Sequence, residues 1–163
     1  MSRYRRTYIS FLLILILSGC GFKPIYKTTG NEVNNSTYSI EFQNEPGYII
    51  KNKVLEVYNL PSLKSAYTIH LNINQDSTPL ITNTDGTVSK YRIEVVIAFD
   101  VTRSNSDNKI YSNISRGFAE YLVQTSEIET GEKRKQAIKI ATNEALQMMS
   151  IKIQSNILQS QWF

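Results

Sequence analysis

The chain has 163 residues, of which 20% are charged and 41% apolar, with 18 Lys and Arg against 14 Asp and Glu, one His and one Cys. A single cysteine excludes a disulfide framework, and a single histidine leaves no imidazole pair for a metal. Three of the cations, Arg3, Arg5 and Arg6, fall in the first six residues; eighteen less those three leaves fifteen against fourteen acids, too small a surplus to predict a nucleic-acid partner.

Those arginines open a short leader. Met1–Tyr8 is basic and Ile9–Leu17 is almost wholly aliphatic. Nine residues of helix reach about 14 Å, whereas a bilayer core needs about 20 residues, so the segment reads as a signal peptide over 1–19 and not as a permanent span. Its end, Leu17-Ser18-Gly19-Cys20, resembles the bacterial lipobox. That resemblance implies cleavage between Gly19 and Cys20, a diacylglycerol on the Cys20 thiol through a thioether, and an acyl group on the new amine. A thiolate is the side chain nucleophilic enough for such an alkylation. This covalent lipid is the only cofactor expected, and two or more acyl chains give stable anchoring. Lipobox proteins retained at the inner membrane tend to carry Asp after the cysteine; Gly21 stands there, which points to the outer membrane. Residues 20–37, including the polar run KTTGNEVNNST, read as a flexible tether, and 38–163 as a single periplasmic domain of ordinary size.

Tyr38, Ile40 and Phe42 alternate with polar residues and predict a short strand. Asn44-Glu45-Pro46 reads as a helix start, with Asn44 as cap and Pro46 in the first turn. Ile50, Val54, Val57 and Tyr58 keep helical spacing as far as Asn59, and Pro61 closes the helix. Tyr67, Ile69, Leu71 and Ile73 predict a second strand, followed by turn-rich sequence with Pro79 and the hairpin dipeptide Asp85-Gly86. Tyr91, Ile93, Val95, Ile97, Phe99 and Val101 form the clearest strand. Ser104–Asn108 reads as a turn into a fourth strand, Ile110–Val123, with Ile110, Ile114, Phe118 and Leu122 on one face and Gly117 at a bulge. After Gly131 the period becomes helical, with Ile138, Ala141, Ala145, Met148 or Met149, Ile153 and Ile157 in one stripe. The order β-α-β-β-β-α, with room for a fifth short strand around Leu80, predicts an α+β two-layer sandwich: a mixed four- to five-stranded sheet with two helices on one face.

Signals for chemistry are few. His70 lies between Ile69 and Leu71, on the polar side of its strand, and no nucleophile elbow, P-loop or dinucleotide fingerprint accompanies it. No catalytic residue, no metal and no enzymatic activity is expected. Lys90 and Arg92 sit two apart on a strand and project together; with Arg116 on the next strand they could hold a phosphate, or could be spent on cross-strand partners such as Glu94 and Glu120. Lys133-Arg134-Lys135 follows Glu127, Glu129 and Glu132 at the start of the long helix, a charge mix suited to a solvated helix end. The last residues, Gln161-Trp162-Phe163, lack the alternation of a barrel's terminal strand and read as an aromatic tail packed on the domain.

The run Gly19-Cys20-Gly21-Phe22-Lys23-Pro24-Ile25-Tyr26 resembles the mature N-terminus of the lipopolysaccharide-assembly lipoprotein (LptE) family in its α-proteobacterial form. The order of elements behind it, strand, helix, three strands and a long Ala-containing helix, is similar across the chain. The resemblance implies a lipoprotein that sits in the lumen of a large outer-membrane β-barrel LPS-assembly protein, helps that barrel assemble and contributes to placing lipopolysaccharide in the outer leaflet. It implies lipopolysaccharide contacts by exposed basic residues, for which Lys90, Arg92 and Arg116 are the candidates. The other reading of a small lipid-anchored domain is an auxiliary lipoprotein of an ABC-type transport system.

Overall fold

The computed structural model describes residues 38–58, 65–104 and 106–160. The leader, Gly19 and Cys20, the tether, Pro61 and Trp162-Phe163 lie outside these residues, as does the Ile157 side chain. The elements are β1 (Tyr38–Phe42), α1 (Tyr48–Tyr58), β2 (Tyr67–Thr82), β3 (Val88–Arg103), β4 (Ser106–Leu122) and α2 (Glu127–Ser160). The four strands make one mixed sheet in sequence order. β1 runs parallel to β2, with Ile40 opposite Ile69, and β2, β3 and β4 form an antiparallel meander. The fold is thus an α+β two-layer sandwich with the expected β-α-β-β-β-α order.

The core follows from strand parity. Ile69, Leu71 and Ile73 of β2 and Ile93, Val95, Ile97, Phe99 and Val101 of β3 all turn inward and are buried. They meet Ile50, Val54 and Tyr58 of α1 and Ala137, Ile138, Ala141, Ala145, Leu146, Met149 and Ile153 of α2. Of the two methionines open to assignment, Met149 is in the core and Met148 is half exposed. A row of alanines on α2 lets the helix backbone approach the sheet closely.

Several local expectations are corrected. Asn44 does not cap α1: its side-chain amide donates to the Ile73 carbonyl (2.8 Å) and its oxygen accepts from the Ile73 N–H (3.0 Å). It thereby extends β1's hold on β2 by one side chain, while the Gly47 carbonyl accepts the first helical bonds, from Ile50 and Lys51. Pro46 therefore precedes the helix instead of occupying its first turn.

The stretch through Pro79 is not a turn, and no separate strand forms around Leu80: β2 runs unbroken to Thr82. Beyond Ile73 its residues are mostly exposed on both faces, which erases the period-two signal. Among the described residues no strand lies alongside the β1 edge of β2 at that point, and the proline sits on that edge, where its missing N–H costs no ladder bond. Register shifts fall between Pro79 and Ile81 and again between Ile81 and Thr82. The hairpin turn itself is where Asp85-Gly86 placed it; Gly86 has φ of +86°, Asp85 accepts from the Thr87 N–H and hydroxyl, and that pair of bonds lowers the Asp85 carboxyl pKa.

β4 already begins at Ser106, within the stretch expected as a turn, and α2 begins at Glu127, ahead of Gly131. Ser126 starts that helix, its hydroxyl accepting from the Glu129 N–H and its carbonyl from the Thr130 N–H. Gly117 marks no bulge, since β3 and β4 stay in register from Lys90–Leu122 to Val101–Tyr111. A Cβ added there would lie 2.0 Å from the Ala141 carbonyl oxygen and 2.6 Å from the Ala145 nitrogen. Glycine is required because the α2 backbone rests directly on this point of β4.

Candidate functional site

The inner face of the sheet is occupied by helices, so the outer face is where sequence-predicted contacts collect. Alternation along β3 turns Lys90, Arg92 and Glu94 outward, opposite Ile93 and Val95 in the core. The antiparallel register sets Arg92 against Glu120, Glu94 against Phe118 and Val96 against Arg116. Lys90, Arg92 and Arg116 therefore do share one face, as their spacing predicts.

They do not converge on one point. The Lys90 ammonium and the Arg92 guanidinium (2.8 Å) both reach the Glu120 carboxylate, one to each oxygen. Arg116 Nε lies 3.5 Å from Glu94 Oε1. The Lys90 bond, then the Arg92 bond, holds the Glu120 carboxyl below the usual carboxylate range. A phosphate binding here would have to replace carboxylates as the partner of each cation, with Arg able to present its two-pronged fork. All three cations remain partly open to water.

The same face continues toward the other end of the sheet. Asp100 accepts from Lys109 Nζ (2.8 Å) and the Ser112 hydroxyl (2.6 Å), and these two bonds lower its pKa. His70 bridges strands: Nδ1 is 3.1 Å from Glu41 Oε2 and Nε2 is 3.2 Å from the Thr102 hydroxyl. These polar contacts occupy the single imidazole in tying β1, β2 and β3 together.

Two features escape a reading by pattern alone. Ile110, Ile114, Phe118 and Leu122 share a face, as their spacing indicates, but it is the open one: each is 43–54% exposed, in a row beside the three cations. Their inward neighbours are Tyr111, Asn113, Ser115, Gly117, Ala119 and Tyr121, a set with no clear apolar period. The second feature is an open cleft of ≈ 1180 Å³ between the N-terminal halves of the two helices, where Tyr48, Ile49 and Ile138 share the wall with Lys133, Arg134 and Lys135. Lys135 is paired with Glu132 at 2.7 Å and Lys53 with Glu56 at 3.2 Å on its rim. No periodicity in one helix could reveal a cleft formed by two.

No family model matches the sequence, and no curated protein matches it. Solved structures do resemble it. A protein assigned as a lipoprotein from Caulobacter crescentus CB15 superposes with a TM-score of 0.62 at 9% identity, over 77% of this chain and 93% of that one. A minor lipoprotein from Acinetobacter baumannii gives 0.54 at 13% identity, over 75% and 92%. An uncharacterized lipoprotein B from Nitrosomonas europaea gives 0.53 at 13%, over 69% and 77%. At such identities the likeness is one of fold. The sandwich described here is a fold that proteins assigned as lipoproteins also adopt.

Proposed function

We propose that this chain is an outer-membrane lipoprotein of the lipopolysaccharide-assembly type. Cys20 carries the lipid, 20–37 tethers the domain, and the domain plugs and assists assembly of a large β-barrel that delivers lipopolysaccharide to the outer leaflet. The observation that carries this reading is the run Gly19–Tyr26 standing ahead of a domain whose fold recurs in solved lipoproteins. The physical character of the domain supports it. A barrel lumen is polar, and the outer sheet face is laced with ion pairs at Glu120, Glu94 and Asp100. The role is one of binding and positioning, without catalysis. Lys90, Arg92 and Arg116 are the proposed phosphate contacts, reached by exchange with Glu120 and Glu94.

Crosslinking in intact cells followed by identification of the captured protein tests this. Recovery of a many-stranded outer-membrane barrel is the expected result, and recovery of an inner-membrane permease would replace the reading with the transporter alternative. The anchor is tested separately: Cys20→Ala should accumulate as unprocessed precursor without incorporating labelled lipid.

A further inference from the structure

Among the described residues β4 is the terminal strand of the sheet, and no described strand pairs with its long, regular outer edge. The Val123 N–H bonds back to Ser89 of the preceding hairpin arm, so odd-numbered residues of this stretch bond β3 and even-numbered ones turn their backbone groups outward. Two side chains of α2 meet that edge. Glu144 Oε2 accepts from the Phe118 N–H at 2.7 Å, and Lys152 Nζ donates to the Ile114 carbonyl. An edge strand guarded only by side chains is a template for another strand, and here the row of side chains along it has an internal symmetry.

We propose that the free edge of β4 is a self-pairing site, on which a second copy of this chain lays its own β4 antiparallel, joining two four-stranded sheets into one of eight. Charge complementarity selects the partner and the register. With Phe118 opposite its own counterpart, Arg116 faces Glu120 of the other copy and Glu120 faces Arg116, each sharing the new partner with the Glu94, Lys90 and Arg92 contacts it already makes within its own chain, and Ile114 and Leu122 face each other, twice over. All of these residues turn the same way on the sheet and all are edge-facing, so side-chain complementarity and backbone bonding coincide in one register. Centring the pair on Arg116 or on Glu120 would set like charges directly opposite, which is unfavourable.

The helices agree. Ile140, Glu144, Met148 and Lys152 form one row at four-residue spacing, and two of its members touch the β4 edge. The other two, Ile140 and Met148, are 52% and 43% exposed. A twofold axis normal to the sheet brings both copies of α2 to the same side, where these rows approach one another. Glu144 and Lys152 then exchange their hold on Phe118 and Ile114 for the incoming strand. This pairing does not rest on the barrel proposed above, and it describes the domain outside a lumen, because a domain seated as a plug has no second copy beside its β4 edge.

The test uses the full chain in its own membrane, treated with a short reagent bridging two thiols. The parent chain, with Cys20 as its only cysteine, is the blank. Phe118→Cys should link to itself, because directly opposed residues of this kind lie about 5.5 Å apart at Cα. Ile114→Cys alone should not, since eight residues of offset separate the two copies by roughly 27 Å; mixed with Leu122→Cys it should. Arg116→Glu should lower the linked fraction of Phe118→Cys roughly tenfold, through two like-charge pairs, and adding Glu120→Arg should restore it. The proposal is overturned by a Phe118→Cys variant that stays monomeric while retaining native circular dichroism. It is equally overturned by links that form at Ile114→Cys alone, by capture of a different protein at Phe118→Cys, or by indifference to the charge reversal.

Discussion

β3 and β4 are neighbours of nearly equal length, and they use their apolar residues in opposite ways. On β3 every second residue from Ile93 to Val101 is apolar and buried. On β4 the large apolar residues face water, and the helix-facing side is small at its centre, with Ser115 and Gly117 buried. The cause is the position of α2. Over β4 the helix backbone approaches until the Ala141 carbonyl occupies the place where a Gly117 side chain would stand; over β3 the gap is filled by side chains such as Phe99. The inner face of a sheet is therefore not defined by large apolar residues but by the distance to the layer above. Where that distance is shortest, small residues mark the core.

The largest expected effect lies on the β3 side. Phe99 is 2% exposed and stacks edge-on against Tyr111 at 5.9 Å. Phe99→Ala should lower unfolding free energy by roughly 3–5 kcal/mol, the usual cost of emptying such a site, read from the midpoint of urea denaturation. Gly117→Ala should come close behind, at about 3 kcal/mol, because the clash is with helix backbone and not with a flexible side chain. Phe118→Ala, one residue along, should fall within about 0.5 kcal/mol, as an exposed substitution does. If Gly117→Ala were harmless while Phe118→Ala unfolded the domain, the assignment of β4's two faces would be inverted.

This contrast also explains what could be seen in the sequence. β3 was legible because both its neighbours and the helices above leave it room for branched residues on one face only. α1 and the stripe of α2 were legible for the same reason, with Ile50, Val54 and Tyr58, and Ala141, Ala145 and Ile153, all buried. The second half of β2 was not: from Asn74 onward it is mostly exposed on both faces, so no hydrophobic pattern exists to mark it, and Pro79 reads as a turn. Asn44 was misread because one residue type serves equally as helix cap and as strand clamp, and only the position of Ile73 decides. Of the outer face, strand parity indicated that Lys90 and Arg92 project together, while their shared bond to Glu120 needed the register. The cleft between the helices has no signature in either helix alone.

A smaller effect tests the clamp. Asn44 makes two bonds to the backbone of Ile73, where β1 itself has ended. Asn44→Ala should cost about 1–2 kcal/mol, the sum of two modest hydrogen bonds, and should raise amide exchange at Ile73 before exchange rises in β3. A helix cap would instead show faster exchange in the first turn of α1, around Ile50, with Ile73 unchanged.

The smallest effect is on the outer face, and it depends on pH. Lys109, then Ser112, lowers the Asp100 carboxyl, and Lys90, then Arg92, lowers Glu120. A carboxyl whose folded pKa is depressed stabilises the fold at pH values above its ordinary value of about 4, and that contribution disappears as pH falls through the folded value. Unfolding free energy should therefore be flat near neutrality and decline below about pH 4. Asp100→Asn and Glu120→Gln should each make the decline shallower while leaving stability near neutrality only slightly changed, because exposed ion pairs contribute little there. Added salt should flatten the wild-type curve in the same direction. An acid limb unchanged in both variants would mean that these pairs do not hold the outer face, and that the strands beneath it are secured by the inner face alone.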